Sequence, residues 1–375
     1  MKVLLIPDKF KGSLTAKQVI AAISKGIKQN VPDAELHSVL ASDGGDGFLQ
    51  AIGENIDCET ITVNTVDPLG RKISASYLWN PLEQTAYLEL ANSSGLELLE
   101  PHERSAITTS TYGTGLLIRD AIAKGVTSIY LGLGGSATND GGTGIAHALG
   151  YRFLDASGKE LEPIGENLSE IKTIATETVL ETIDSVSFYA VNDVENPLFG
   201  KIGAAHIYAR QKGANDAEID FLDKGLRNLD AVVRTQLQKE VAQNPGAGAA
   251  GGTAFGLQAF LNAKFISGIT FILGLTHVHE LLRDQNFDYV FTGEGKFDGQ
   301  TLHGKLIKGV VDLGKQFKVP VVVVCGQSEV TASESEAMGI ATVLEVKDST
   351  KPLQYNMDHA AELTENTVFS FFDRT

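Results

Sequence analysis

The chain has 375 residues, 43% of them hydrophobic, a mean hydropathy near zero, and a formal net charge of −16 with a pI of about 4.9. That is more chain than one ordinary core accommodates, so two domains are expected, and the acidity argues against a general nucleic-acid or anionic-membrane surface. Cys58 and Cys325 are too few and too far apart for a disulfide framework or a zinc site, and no stretch approaches the ~20 apolar residues of a membrane span. The apolar start stops at Pro7-Asp8, too early for a signal peptide, so a cytoplasmic enzyme with no nucleic-acid or membrane partner is the expectation.

The run Val3-Leu-Leu-Ile6 predicts a short strand. Thr15 and Gln18 then form a capping-box pair, and Ala16, Val19, Ile20, Ile23 and Ile27 give the following helix one apolar face. Strand character returns from Glu35 to Ala41, followed by the acidic loop Asp43-Gly-Gly-Asp-Gly47. From Glu59 to about Leu90, alternating Thr, Ile, Val and Tyr predict antiparallel strands broken at Asp67-Pro-Leu-Gly70 and near Asn80-Pro81. A buried strand, Ser128 to Leu133, leads into the glycine-rich loop 132–144 and a helix from Thr143 to Leu149.

A second strand, Val186 to Val191, ends in Asn192-Asp193, and a long amphipathic helix is expected from about Ala217 to Val241. The small-residue run Pro245 to Gly252 reads as close backbone packing or a second ligand-contacting loop. Strand and helix then alternate again: a strand from Phe287 to Thr292, a helix from Thr301 to Phe317, and a strand from Val319 to Val324. A strand from Ile340 to Val346 and a helix from Met357 to Phe372 finish the pattern. The simplest arrangement joins residues 1–68 and 287–375 in one doubly wound parallel α/β domain, interrupted by an inserted α/β domain over 69–286.

In doubly wound sheets ligands bind beyond the carboxyl ends of the strands. At those ends stand Asp8, Lys9 and Lys11, then Asp43 and Asp46, then the segment Gly293-Glu-Gly-Lys-Phe-Asp298, and then Gly326-Gln327. Repeated acid, lysine and glycine there point to an anionic ligand bound with a metal. The glycine loop Gly132-Leu-Gly-Gly-Ser-Ala-Thr-Asn-Asp-Gly-Gly-Thr-Gly144 brings backbone N–H groups and a helix N-terminus together, a combination that suits phosphate. Asp140 inside it suggests an intervening metal ion. The 43–47 loop lacks the twelfth-position acid of an EF-hand, and Gly299 to Lys305 resembles a P-loop except that Leu306 replaces Ser/Thr. His277 and His279 form a His-x-His pair in an apolar helical stretch and read as core or surface residues; His147 and His303 read as structural.

Together, Pro7-Asp-Lys-Phe-Lys-Gly-Ser-Leu14, Ser42-Asp-Gly-Gly-Asp-Gly47 and Gly132 to Gly142 resemble bacterial glycerate kinases of the first type. Asp193-Val-Glu-Asn-Pro-Leu198, Gln211-Lys-Gly-Ala214, Gly246 to Gly252 and Thr292 to Asp298 continue the likeness in order along the chain. The resemblance implies a flavodoxin-like domain interrupted by a second α/β domain, and ATP- and Mg²⁺-dependent phosphorylation of D-glycerate, favouring 2-phosphoglycerate. Asp46 stands where the family has Glu, and Asn192 where it has Cys.

Phosphoryl transfer needs an acid at the attacking hydroxyl and donors around the phosphates. Asp193 is the expected base, with Asp8 and Lys11 as further catalytic candidates. Lys9, Asp43, Gly44, Gly45, Asp46, Lys296 and Asp298 are expected to bind substrate. ATP is expected at Gly134, Gly135, Ser136, Thr138 and Asn139, and Mg²⁺ at Asp140 and Asp43. A nucleotide-dependent oxidoreductase is disfavoured because the first strand leads to Asp-Lys-Phe-Lys and not to a dinucleotide fingerprint. A non-catalytic sugar-acid sensor lacks a basic DNA-binding element. Oligomeric state is not legible.

Overall fold

The computed structural model describes residues 1–40, 47–298 and 305–373. Among these are the strands β1 (Lys2–Pro7), β2 (Glu35–Ser38), β3 (Glu59–Val66), β4 (Lys72–Asn80) and β5 (Thr85–Glu89). Next come β6 (Ser128–Gly132), β7 (Arg152–Leu154), β8 (Thr173–Ala175) and β9 (Ser187–Val191). The last are β10 (Lys264–Ile266), β11 (Tyr289–Phe297), β12 (Val321–Ser328) and β13 (Thr342–Glu345). The chain divides into two compact units, Met1–Asp43 with Glu54–Ile56 and Gly268–Thr375, and Gly44–Gly53 with Asp57–Ser267. β3 thus goes with the inserted unit, and the helices Gly268–Leu275 and Val278–Asp284 go with the first.

The first unit is built on a five-stranded sheet in the order β13-β12-β11-β1-β2, every pair parallel. Counted within this sheet, that is the 2-1-3-4-5 order of flavodoxin-like folds, which reverses between β1 and β11. Apolar runs such as Val3 to Ile6 and Val321 to Cys325 are buried throughout, as strands covered on both faces must be. Val3, Leu5, Phe291, Val322 and Val324 pack with Val19 and Ile23 of the helix Ala16–Asn30 and Val368 of the helix Ala360–Asp373. Each such side chain contributes about 1.5–3 kcal/mol of burial. The first helix starts as its sequence dictates, with Thr15 Oγ1 accepting from Gln18 N at 3.3 Å and Gln18 Oε1 from Thr15 N at 2.8 Å.

One expectation is corrected here. The segment Gly293 to Phe297, read as a loop after a strand ending at Thr292, continues β11 and pairs with β12 through Lys296↔Gln327 and Phe297↔Ser328. Alternation then buries Phe297 and turns Lys296 outward. Gly293 allows the close strand approach, since a Cβ there would run into the Val324 carbonyl.

The second unit holds a six-stranded sheet, β10-β9-β6-β5-β4-β3. β5, β6, β9 and β10 are parallel, while β3, β4 and β5 pair antiparallel as the alternating segment predicted. The turn between β3 and β4 closes with Gly70 N donating to Asp67 O at 3.0 Å, and Asp67 Oδ1 accepts from Leu69 N and Arg71 N, both at 2.9 Å. Tyr87, Tyr130 and Tyr189, register partners on adjacent strands, stack with centroids 5.6 and 4.4 Å apart. Ile129, Leu131, Leu88 and Ala190 of this sheet join Leu117 and Ile118 of the helix Tyr112–Ala123 in a second core. No helix among the described residues is long and apolar enough to cross a membrane.

Candidate active site

In the first unit, β1 and β11 release the chain at the reversal of strand order. Asp8 N donates to Gly293 O at 2.8 Å, and the Asp8 carboxylate accepts from Lys9 N at 2.7 Å. Lys11 follows at the exposed tip of a tight turn, closed by Phe10 N donating to Leu14 O at 2.8 Å and by Gly12 at φ 81°. Gly295 lies alongside, its Cβ position 3.1 Å from Lys11 N, so Asp8, Lys9 and Lys11 are gathered against β11. Lys296 and Asp298 form an ion pair of 3.0 Å, and Lys296 is also 3.0 Å from Glu329. The bonds to Asp298 and then Glu329 raise the Lys296 pKa. Asp43, Gly44, Gly45 and Asp46 lie outside the described residues, as does 299–304 of the P-loop look-alike.

In the second unit the ends of β6 and β9 lie side by side: Gly132 and Val191 are register partners, and Leu133 N donates to Val191 O at 3.2 Å. Gly134 and Asp193 therefore leave the sheet together, both accessible in part, with Gly135 exposed. The next residues turn inward. Segment 135–137 runs antiparallel to 94–96, with Leu96 N donating to Gly135 O at 2.8 Å and Ala137 N to Ser94 O at 2.9 Å. Ser136, Thr138 and Asn139 are buried, so only the first two glycines of the predicted nucleotide-binding set face solvent.

Asp140, the expected metal ligand, sits among donors of the protein itself. It is fully buried, and its carboxylate accepts from Thr111 N and Thr111 Oγ1, both at 2.7 Å, from Gly142 N at 3.1 Å and from Gly144 N at 3.2 Å. Burial pushes its pKa up, opposed by these four bonds. The helix Thr143–Ala148 thus has its N-terminal donors filled by an internal carboxylate, and Ile145 N is taken by Thr111 Oγ1 at 3.0 Å. Asp140 is thus itself an anion at that helix end.

Sequence reasoning missed three residues. Lys212 is only 1% exposed, and its Nζ donates to Ser136 Oγ and to Thr138 O, both at 2.7 Å. Burial lowers its pKa to about 7, with Asp140 opposing the shift. Its one signal was its place in Gln211-Lys-Gly-Ala214. Glu89, at the end of β5, accepts from Gly47 N at 3.3 Å and Leu49 N at 3.2 Å, and so fixes the start of the helix Phe48–Asn55. Thr111 supplies two of the donors on Asp140. The run Pro245 to Gly252 proves to be close backbone packing: Ala250, Gly251 and Gly252 stand at φ 54°, 65° and 85°, and a Cβ on Gly251 would strike the Thr138 carbonyl.

The His-x-His pair is a surface feature, with His277 Nδ1 2.8 Å from Glu280. Among the described residues, no three His, Cys, Asp or Glu side chains group as metal ligands.

The Glycerate kinase family model matches residues 3–374. The chain belongs to the glycerate kinase family. It is accordingly an enzyme of that family. Among similar proteins, a glycerate kinase of Halalkalibacterium halodurans is 43% identical over 324 residues, covering 86% of this chain and 85% of the relative. A glycerate 2-kinase of Escherichia coli is 37% identical over 349 residues, covering 93% and 91%. The crystal structure of a putative glycerate kinase 2 from Salmonella typhimurium LT2 superposes with a TM-score of 0.84 at 34% identity, covering 100% of this chain and 98% of that one. The mixed α/β architecture, with its parallel flavodoxin-like sheet and a second α/β unit, is the family's.

Proposed function

We propose that this enzyme transfers the γ-phosphoryl group of ATP to the 2-hydroxyl of D-glycerate, giving 2-phosphoglycerate and ADP. One observation in the structure supports the reading: accessible Gly134 and Gly135 follow the end of β6, and Asp193 follows the end of its neighbour β9. Backbone N–H groups without intervening side chains suit phosphate oxygens, and a carboxylate beside them suits the attacking hydroxyl. The position of the hydroxyl follows the Escherichia coli relative, which is named a glycerate 2-kinase.

In this reading Asp193 accepts the proton of the hydroxyl as its oxygen attacks phosphorus. Gly134 and Gly135 hold phosphate oxygens, while Ser136, Thr138 and Asn139 act from within, shaping the loop. From the sequence, Lys9 and Lys11 are the expected holders of a carboxylate or phosphate, and Asp8 is the alternative base. Mg²⁺ would neutralise phosphate charge when bound. Such an ion commonly keeps its waters and takes one or two carboxylates, and Asp43 and Asp140 are the carboxylates the sequence offers.

The test is product analysis by phosphorus NMR after incubation with D-glycerate and MgATP. Phosphate on the 2-oxygen with stoichiometric ADP is expected. Phosphate on the 3-oxygen would overturn the regiochemistry, and no phosphorylated glycerate would overturn the activity.

A further inference from the structure

Arg104 follows the short helical turn Pro101–Glu103, in the same unit as the glycine loop. Two contacts fix its backbone against that loop. Thr109 Oγ1 lies 2.8 Å from Ser105 O and 3.0 Å from Ala137 O and can donate to either, so the residue after Arg104 shares one hydroxyl with the loop. On the other side the Arg104 carbonyl packs on Gly213, where a Cβ would strike it; Gly213 adjoins Lys212, whose ammonium bridges Ser136 and Thr138.

The side chain has no such anchorage. Arg104 is part-buried, and among the described residues its Nε is removed from solvent without a hydrogen-bond partner and its side chain makes no ion pair. Arg71 shows the contrast: it bridges Asp67 and Glu103, which consumes the acid adjacent to Arg104. Asp140, the buried acid of the loop, is taken by its own four donors. Lys212 commits two of its three N–H groups and pairs with no carboxylate within ion-pair distance. The Arg104 backbone and Lys212 therefore both lie against one loop, and among the described residues neither side chain is in an ion pair. Thr138 Oγ1 and both amide atoms of Asn139 are buried there without partners as well. Leaving a desolvated guanidinium N–H unpaired is costly, and an oxyanion ligand would satisfy it.

We propose that Arg104 is an oxyanion-recognising residue of the glycine-loop site. It takes either the carboxylate of glycerate or a phosphate of the nucleotide, both of which the planar guanidinium fork matches with two parallel hydrogen bonds. The proposal rests on the glycerate kinase reading above. Lys212, by contrast, is a positioning residue, since it acts through Ser136 and Thr138.

The experiment compares the full chain with Arg104→Gln and Arg104→Lys. It measures KM for D-glycerate at saturating MgATP, KM for MgATP at saturating D-glycerate, and the urea unfolding midpoint. Because the side chain has no partner to lose, the midpoint should hold while one KM rises about 30-fold or more in Arg104→Gln. A rise for glycerate alone identifies the carboxylate, and a rise for MgATP alone identifies the phosphate. Arg104→Lys, which keeps the charge and loses the fork, should fall between, and it decides on the same criterion should the glutamine variant fail to fold. Both KM values within about twofold of the parent would overturn the proposal. A parent enzyme with no glycerate-dependent ADP release would instead overturn the functional reading. Calorimetric titration of parent and Arg104→Gln with D-glycerate and with inorganic phosphate then still tests the site: tighter binding by the parent upholds it, and equal binding or none removes it.

Discussion

The glycine loop is one stretch of sequence with two physical characters. Gly134 and Gly135 are accessible and follow β6 as Asp193 follows the neighbouring β9, whereas Ser136 to Gly144 is buried and bonded largely to itself and to Thr111 and Lys212. Both halves carry the residue types expected of a phosphate site, and only the first is open to one. In the second half an aspartate fills the place of the anion and a lysine fills that of the counter-cation. Glycine, hydroxyl and acid in a strand-to-helix loop are thus as well suited to an internal anion as to a bound one, and accessibility separates the two.

Substitutions in each half should therefore fail differently. The largest effect on stability belongs to the closed half. Asp140→Asn turns an amide NH₂ toward backbone donors and leaves the Thr111 and Gly144 N–H groups short of an acceptor, at a cost of about 3–5 kcal/mol. Urea unfolding should show a much lower midpoint; an unshifted midpoint would mean that the carboxylate does not hold the loop. Gly134→Val should do the reverse, raising KM for MgATP by about tenfold or more with the unfolding midpoint nearly unchanged. Gly134 is the better choice for this because Gly135 stands at φ 70°, where valine would strain the backbone in any case. Normal nucleotide affinity in that variant would make the open half a mere connector.

The smallest effect is a pH dependence. The Lys212 pKa is lowered by burial to about 7, whereas an unfolded lysine titrates near 10. Between those values the unfolded chain holds more protons than the folded one, so this group makes stability rise with pH from about 7 upward and adds no slope below. The melting temperature of the parent should climb from about pH 7 to pH 9 relative to that of Lys212→Met. Parallel pH profiles for the two proteins would show that Lys212 keeps its proton throughout.

The fold was more legible than the site. Apolar runs such as Val321 to Cys325 and the Thr15–Gln18 cap are local signals, and local physics decides them. β11 was misjudged at its end because Gly293 and Gly295 look like a loop in sequence, and only the nearness of β12 makes them strand. Asp193, Gly134 and the group Asp8, Lys9 and Lys11 could be placed at strand ends from the pattern of strands alone. Asp140 could not be resolved, since Thr111, 29 positions earlier, saturates it. Nor could Lys212, which reaches the loop across 76 positions to Ser136. Long-range hydrogen bonds leave no periodicity to read.

The central claim is that the reacting acid lies at the open end of β9 and not in the closed loop. Glycerate-dependent ADP release by Asp193→Asn, measured at saturating substrates beside its unfolding midpoint, tests this most directly. Turnover lower by roughly 10²–10⁴-fold, with the fold and both KM values nearly intact, is expected. Near-normal turnover in a folded Asp193→Asn protein would contradict it and shift the base to Asp8.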